Sequence, residues 1–292
     1  MSDWTSITTA ITEATGTPFA SAQAQSVGGG CINRALRLDD GERRFFVKLN
    51  DARLLGMFEA EAAGLEEIAQ SATLRVPRPI CSGVAGSEAY LVLEHIDLGH
   101  SGDSVMAGTQ LAAMHRVTSD HFGWQRDNYI GATPQPNTPS GDWIGFWRDQ
   151  RLGFQLELAA TKGAGNKLRQ RGEQLIELLP ALLDHAPQPS LLHGDLWGGN
   201  LGYDTEGGPV VFDPALYYGD READLAMTEL FGGFDNHFYA AYEESWPLDP
   251  GYRTRKTLYN LYHILNHFNL FGGGYGAQAS GMIDRLLAEL GQ

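Results

Sequence analysis

"LLHGDLWGGN" occupies residues 191–200 and runs an apolar segment into a cluster of groups with chemical potential. His193, Asp195 and Asn200 fall within eight residues, with Trp197 between them and glycines on both sides. Such a stretch is either a glycine-rich surface turn or a loop that does chemistry, and spacing separates the two. Asp195 and Asn200 are five apart, and Asp213 follows thirteen after Asn200 inside "PVVFDPA". Four intervening residues let Asp and Asn converge from the two ends of one loop. The apolar "VVF" predicts a buried strand that delivers the Asp213 carboxylate. Phosphoryl-transfer sites use this order: an Asp as base toward the attacking hydroxyl, an Asn five later on Mg²⁺, then a strand-end Asp on the metal.

Upstream, "RFFVKLN" (44–50) places Lys48 in a run expected to form a buried strand. A lysine buried there needs an anionic partner, because an unpaired buried charge is costly; the alternative is a solvent-facing position on an alternating strand. The next segment, "LLGMFEAEAAGLEEIAQ" (54–70), carries Leu54, Phe58, Leu65 and Ile68 at helical spacing. Glu61 lies four before Leu65 and seven before Ile68, so it shares their inward face, and Glu59 does not. A Lys48–Glu61 pair would hold the lysine against the phosphates of a nucleotide. Further upstream, Gly28, Gly29 and Gly30 sit between two β-prone runs in "SVGGGCINRALRL" (26–38). Glycines let backbone amides approach phosphates, and they equally mark a plain hairpin. No Lys-Ser or Lys-Thr follows them, so there is no P-loop, and "GGGCIN" misses the dinucleotide fingerprint.

Composition bounds the rest. The chain has 292 residues, 42% hydrophobic and 20% charged, an ordinary globular balance. Its net charge of −15 repels nucleic acid and anionic membranes, so neither is expected as a partner. A small anionic ligand stays compatible through local cations or a metal complex. The two cysteines, Cys31 and Cys81, and an N-terminus without a basic start or apolar core suggest a cytoplasmic protein.

The pattern begins with a short helix in the first 18 residues, then a hairpin about Asp40-Gly41, the helix over 54–70, and a "VPRP" break. "ICSGVAG" and "EAYLVLEHI" form a second strand pair. Beyond residue 98 helices dominate: "SVMAGTQLAAMHRV", "DWIGFWRDQRLGFQLELA", "NKLRQRGEQLIELLPALLDH" and two more near the C-terminus. A Pro-rich loop lies at 133–139, and short β-like pieces at 190–213. The expected class is α+β. A small antiparallel β-rich N-terminal lobe (1–97) with one inserted helix is followed by a larger, mainly helical C-terminal lobe (98–292), with a hinge near 93–98.

"LLHGDLWGGNLGY" and "VVFDPALYYGDREADLAMTELFGGF" resemble the fructosamine kinase (ketosamine-3-kinase) family, in the aminoglycoside-phosphotransferase-like branch of the protein-kinase fold. "GGGCIN", "FVKLN", "FEAEAAGLEEI", "VPRPI", "LVLEHI" and "LYHILNHFNLFGGGY" extend the likeness over about 26–276. The Gly-Asp-x-x-x-x-Asn core is shared with many small-molecule kinases. Trp197 and "DPALYYGDREADLAM" are the family-level signals.

The resemblance implies a bilobal kinase that uses ATP and Mg²⁺ to phosphorylate the 3-hydroxyl of a ketosamine, free or protein-bound, in deglycation. It makes Asp195 the proton acceptor, Asn200 and Asp213 the Mg²⁺ ligands, and Lys48 with Glu61 the phosphate anchor. Leu93, Glu94, His95 and Ile96 match the segment whose backbone reads adenine. Asp224 resembles the buried Asp that braces the catalytic loop, and His193 is expected to pack beneath it. Gly194 stands where protein kinases carry an arginine that often pairs with an activation-loop phosphate, so such control is not expected.

Trp197 is either a core aromatic or an exposed indole against the sugar ring. His263 and His267 lie at i, i+4 without an evident third metal ligand, and a packed or substrate-facing pair is preferred. Cys31, beside the glycines, is a candidate for oxidative control. Two alternatives stand: another small-molecule kinase of the aminoglycoside or choline type, and a nucleotide-binding pseudokinase scaffold. The Trp197 context argues against the first, and joint retention of Lys48, Asp195, Asn200 and Asp213 against the second. The sequence leaves open whether the protein is a monomer or a dimer.

Overall fold

The computed structural model describes residues 4–20, 23–28 and 32–292, so Gly29, Gly30 and Cys31 lie outside the described residues. The chain divides into two compact units, Met1–Asp103 with Gly202–Pro214, and Ser104–Leu201 with Ala215–Gln292.

In the first unit, α1 (Trp4–Thr15) precedes β1 (Gln23–Val27), β2 (Arg34–Asp39) and β3 (Arg44–Asp51). Then come α2 (Leu55–Gln70), β4 (Pro79–Ala85) and β5 (Glu88–Glu94). The strands form one sheet in the order β1-β2-β3-β5-β4, every neighbouring pair antiparallel. The β2–β3 turn is built by Asp40, whose carboxylate accepts the N–H groups of Glu42 and Arg43 at 3.0 and 2.6 Å. Strand alternation then sorts the side chains. Phe45, Val47 and Leu49 join Ile7, Ile11 and Phe19 in one core, and Lys48 leaves β3 by the other face. A single 3₁₀ turn (Ala52–Leu54), capped by Asp51 through the N–H of Arg53, starts α2, which buries Phe58, Leu65 and Ile68 completely.

The second unit runs α3 (Ser104–His115), β6 (Asn128–Ile130), β7 (Thr133–Gln135) and α4 (Trp143–Trp147). After a π turn (Arg148–Leu152) it continues with α5 (Gly153–Thr161), α6 (Asn166–Glu177), α7 (Leu179–Leu182) and β8 (Ser190–Leu192). Here β9 (Leu201–Tyr203) leads the chain back to the first unit, where it pairs with β10 (Pro209–Val211). A parallel bridge from Arg75 to Val210 fastens β10 there. The second unit resumes with β11 (Tyr217–Gly219), α8 (Glu222–Leu230), α9 (Asn236–Ser245), α10 (Tyr252–Phe271) and α11 (Tyr275–Glu289). β11 lies antiparallel to β8, with Tyr217 opposite Leu192.

Three local expectations need correction. The Pro-rich stretch is not all loop, since Thr133–Gln135 pairs with Asn128–Ile130 as a small hairpin. The long helix expected from residue 166 breaks at Leu178, because Pro180 cannot supply a helical N–H and instead opens α7. Four helices, not two, follow residue 220. Of the extra pair, α8 was hidden because it is buried around most of its circumference, acidic residues included, and so shows little polar-apolar periodicity. Among the described residues no helix is long and apolar enough to cross a membrane.

Candidate active site

The loop after β8 takes its shape from one buried carboxylate. Asp224, in the first turn of α8, accepts the N–H of His193 at 2.6 Å and that of Gly194 at 2.8 Å. His115 Nε2 lies 3.2 Å from the same carboxylate, and His115 Nδ1 lies 2.8 Å from the Tyr242 hydroxyl. Burial alone would raise the Asp224 pKa, but these hydrogen bonds and the neighbouring histidines outweigh it, and the net shift is downward. The carboxylate therefore stays charged.

From the other side, the Ala215 N–H donates to the His193 carbonyl at 2.9 Å. Gly194 turns between these supports with φ +81°, and a Cβ there would stand 2.0 Å from the Ala215 oxygen. No side chain fits at this position, whatever its chemistry. His193 is fully buried, and its Nδ1 accepts the Asp195 N–H at 3.2 Å.

Asn200 closes the loop. Its backbone N–H reaches the Trp197 carbonyl at 2.9 Å, and its Nδ2 donates to the Asp195 backbone carbonyl at 2.8 Å. That bond fixes the amide orientation and leaves Oδ1 as the atom with which Asn200 meets a ligand. Trp197, by contrast, is 39% exposed and lies T-shaped against Phe231, with centroids 6.3 Å apart. It is not a core aromatic.

In the first unit Lys48 is only 5% exposed, although it is a lysine. Its Nζ bonds Glu61 Oε1 at 2.7 Å and also the Asp213 carboxylate. Burial works to lower the Lys48 pKa, but Asp213 and Glu61 more than offset it, and the ammonium is held above the ordinary lysine range. Burial raises the Glu61 carboxyl, with Lys48 opposing. Asp213 is different: its side chain is half exposed, and its backbone sits at φ +54°, a left-handed conformation. Val210 and Val211 before it are buried, so a rigid strand end presents a strained, solvent-reaching carboxylate.

The remaining nucleotide candidates are also in the first unit. Leu93 and Glu94 end β5, and the Glu94 N–H is already spent on the Arg78 carbonyl at 2.8 Å. His95 and Ile96 follow beyond the strand, and burial lowers the His95 pKa. Gly28 is exposed at the end of β1 with open space around its Cβ position.

His263 is buried, and burial pushes its pKa down to about 3, so it is neutral. The His267 Nδ1–H donates to the His263 carbonyl at 2.8 Å, which leaves Nε2 as an acceptor in the neutral ring. The His263 ring packs edge-on against Tyr262, and the His267 ring against Phe231, Phe271 and Tyr275. A different trio, His185, Asp220 and Glu222, brings ligand atoms within 4.8 Å of one another. Arg255 already forks onto Glu222 at 2.6 and 2.8 Å, and Tyr259 donates to Asp220 at 2.5 Å, so existing partners take up these carboxylates.

Two features escaped the sequence reading. A buried polar network carries the segment after Asp213: Gln135 donates to the Ala215 carbonyl at 3.0 Å, and Asn128 to the Leu216 carbonyl at 2.7 Å. Tyr262 donates to Gln135 at 2.7 Å, and Arg151 to Asn137 at 2.6 Å. Nothing local in the sequence marks these partners. The other is a run of rings around His267, with Phe231 at 5.0 Å, Tyr275 at 5.1 Å and Phe271 at 5.7 Å. It had a signal, the thrice-repeated aromatic-Gly-Gly at 197–199, 231–233 and 271–273.

Chemically, Asp213 and Asn200 each offer a hard oxygen of the kind Mg²⁺ prefers. Lys48 offers a fixed cation, and Asp195 a carboxylate on an immobilised loop.

The sequence profile of the fructosamine kinase family matches residues 3–289. A probable ketoamine kinase of Synechocystis is 52% identical over 287 residues, spanning 97% of each chain. A chloroplastic protein-ribulosamine 3-kinase of Arabidopsis thaliana is 46% identical over 270 residues, 91% of this chain and 82% of the relative. The crystal structure of a candidate fructosamine-3-kinase from Haemophilus somnus superposes with a TM-score of 0.90 at 29% identity, covering 97% of both chains. An aminoglycoside phosphotransferase at 16% identity and a TM-score of 0.62 shares the fold. The chain belongs to the fructosamine kinase family.

Proposed function

We propose that the protein transfers the γ-phosphoryl group of ATP, as its Mg²⁺ complex, to the 3-hydroxyl of a ketosamine, and so acts in deglycation in the cytoplasm. The first unit serves the nucleotide and the second serves the acceptor. Lys48 carries this assignment. A lysine this buried, ion-paired on one side to a buried glutamate and on the other to a half-exposed aspartate, is built to receive an anion. Glu61 keeps the ammonium in place, and Asp213, reaching solvent, is free to exchange Lys48 for a metal ion.

MgATP supplies the transferable phosphoryl group and a cation that neutralises developing charge. The chain's own residues bind, orient and move the proton. Lys48 holds phosphate oxygens. Asn200 Oδ1 and the Asp213 carboxylate would hold Mg²⁺. The backbone over Leu93–Ile96 reads adenine. Asp195 accepts the proton of the attacking hydroxyl, and its position matters because a misplaced base loses both reach and alignment. Asp224, His193 and Gly194 fix that position without touching substrate. Trp197 offers its exposed indole to the apolar face of the sugar. The ketosamine assignment draws on the ketoamine and ribulosamine kinases among the relatives.

A phosphorylation screen with MgATP over ribulosamines, fructosamines and aminoglycosides, with ATPase background subtracted, tests this. Turnover on ketosamines is expected. Turnover on aminoglycosides alone would remove the acceptor assignment and keep phosphoryl transfer. Nucleotide binding with no turnover on any acceptor would support the scaffold alternative.

A further inference from the structure

Lys48 and Arg255 are buried cations matched by carboxylates, Lys48 by Glu61 and Asp213, Arg255 by Glu222. Arg151 is not. It is fully buried, and it donates to neutral oxygens, the Pro136 and Gln150 carbonyls and Asn137 Oδ1, with no carboxylate of the described residues pairing with it. A guanidinium stays charged in proteins, and a buried charge without a counter-ion is costly. The helix is distorted to put it there. The Gly153 N–H closes on the Arg148 carbonyl, five residues back, so Arg148–Leu152 is a π turn. Gly153 allows this approach, since a Cβ there would stand 2.4 Å from the same oxygen. The added residue shifts the helix phase, and Arg151 and Leu152, though consecutive, are both fully buried. Such turns inside helices are rare and recur at functional sites.

Arg151 grips the segment Ala215–Tyr217. Its Cζ lies 4.0 Å from the Tyr217 ring centroid and 4.6 Å from that of Phe146. The rest of the grip runs through amides. Arg151 Nη2 donates to Asn137 Oδ1 at 2.6 Å, Asn137 Nδ2 to Asn128 Oδ1 at 2.8 Å, and Asn128 Nδ2 to the Leu216 carbonyl at 2.7 Å. Gln135 Nε2 joins at Asn128 Oδ1, 2.8 Å away, and reaches the Ala215 carbonyl at 3.0 Å. A guanidinium only donates, so Arg151 dictates which end of Asn137 faces it, and through Asn137 the orientation of Asn128. Tyr262 does the same for Gln135 from the other side, its hydroxyl donating at 2.7 Å. Burial pushes the Tyr262 pKa up to about 12, with Arg151 opposing and Asp195 adding to the rise, so the hydroxyl keeps its proton.

The chain of bonds ends at the candidate base. The Ala215 N–H donates to the His193 carbonyl at 2.9 Å, and His193 Nδ1 accepts the Asp195 N–H at 3.2 Å. Tyr217 lies opposite Leu192, the residue before His193. All of these residues belong to the second unit. Resting on the function proposed above, we propose that Arg151 is a positioning residue for phosphoryl transfer. As the head of a one-way chain through Asn137 and Asn128, it fixes the main chain at Ala215–Tyr217 and so the place of Asp195 relative to the acceptor hydroxyl. It touches no substrate. A carboxylate against Arg151 would satisfy its charge and end the chain, having no N–H to pass on. That accounts for a buried guanidinium matched by an amide.

The test reads the ratio of acceptor phosphorylation to acceptor-independent ATP hydrolysis. Both are measured in one preparation at saturating MgATP, so the active fraction cancels and partial misfolding cannot imitate the effect. A water molecule follows a displaced base, whereas the hydroxyl of a bound acceptor does not. Arg151→Met should lower the ratio about ten-fold and leave KM for MgATP within about two-fold of wild type. Arg151→Lys, which keeps a charged donor, should recover most of the loss. Asn137→Asp covers the case in which Arg151→Met fails to fold. It preserves the side-chain shape and gives Arg151 a counter-ion, but offers Asn128 no N–H, so its ratio should also fall. A wild-type ratio in Arg151→Met or Asn137→Asp, or an Arg151→Lys no better than Arg151→Met, would overturn the positioning role and leave the phosphotransferase assignment standing. Wild type that phosphorylates no acceptor would instead overturn the proposed function, and this inference with it.

Discussion

Replacing Gly194 by Ala probes whether the loop that carries Asp195 has the rigidity the geometry gives it. The new Cβ would stand 2.0 Å from the Ala215 carbonyl oxygen, where real contacts do not fall below 3.0 Å, so something must move by about 1 Å. Ala215 is poorly placed to yield, because its N–H is bonded to His193 and its carbonyl to Gln135. The loop is therefore displaced, against two hydrogen bonds to Asp224. A left-handed alanine costs about 1–2 kcal/mol, and weakening one buried hydrogen bond about 1–3 kcal/mol more. A loss of roughly 3 kcal/mol in stability is expected, which for a chain of this size lowers Tm by about 6–10 °C. Displacing Asp195 by about 1 Å should cut kcat/KM by about 10²-fold. Steady-state phosphorylation at saturating MgATP and a thermal melt read the two effects. Gly198→Ala is the stability control, since nothing lies within 4 Å of its Cβ and its φ is not positive, and its Tm should match wild type. A Gly194→Ala protein with wild-type kcat/KM and Tm would refute the reasoning.

Asp195→Asn should keep nucleotide binding, measured by titration calorimetry, and lose about 10²–10⁴-fold in kcat, the range for removing a general base; unchanged turnover would sink its assignment. Lys48→Met should leave Glu61 buried without its cation, costing about 3 kcal/mol near pH 8. Burial raises the Glu61 pKa, so the folded variant takes up a proton as pH falls and regains stability toward pH 6, and a Tm that falls on acidification contradicts this. His263 works in the opposite direction. Its folded pKa of about 3 lies below the unfolded value of 6.5, so the unfolded chain binds the proton first and stability falls as pH drops through that window. Between pH 6.5 and 5 this amounts to about 2 kcal/mol. His263→Gln should flatten that slope in denaturant melts, and an identical slope would count against a buried neutral imidazole.

Much of the first unit was legible because its signals are local. Asp40-Gly41 sits between two alternating runs, and Phe58, Leu65 and Ile68 recur at helical spacing with Glu61 among them. Lys48 could be paired with Glu61 on paper because strand and helix are consecutive and the inward face of each is set by its period. Asp213 as a second partner of Lys48 could not, since 165 residues separate them. The hairpin in the Pro-rich stretch and the short, buried α8 were obscured for a related reason. Elements packed on most sides, or stabilised by partners far away in sequence, carry no polar-apolar rhythm. The polar network under Ala215 and Leu216 belongs to this class. For the rings around His267 the repeated motif was visible, and their convergence was a matter of tertiary structure.

The left-handed backbone at Asp213 has an evolutionary consequence. Few residues tolerate that conformation without strain, chiefly Gly, Asn and Asp. Asn and Gly are single-base changes from Asp, and both would suit the main chain at this position. On the proposed assignment neither would serve the metal as the carboxylate does. Selection for folding alone therefore offers no protection here, and a lineage relieved of its substrate could drift into a folded, silent descendant in one step.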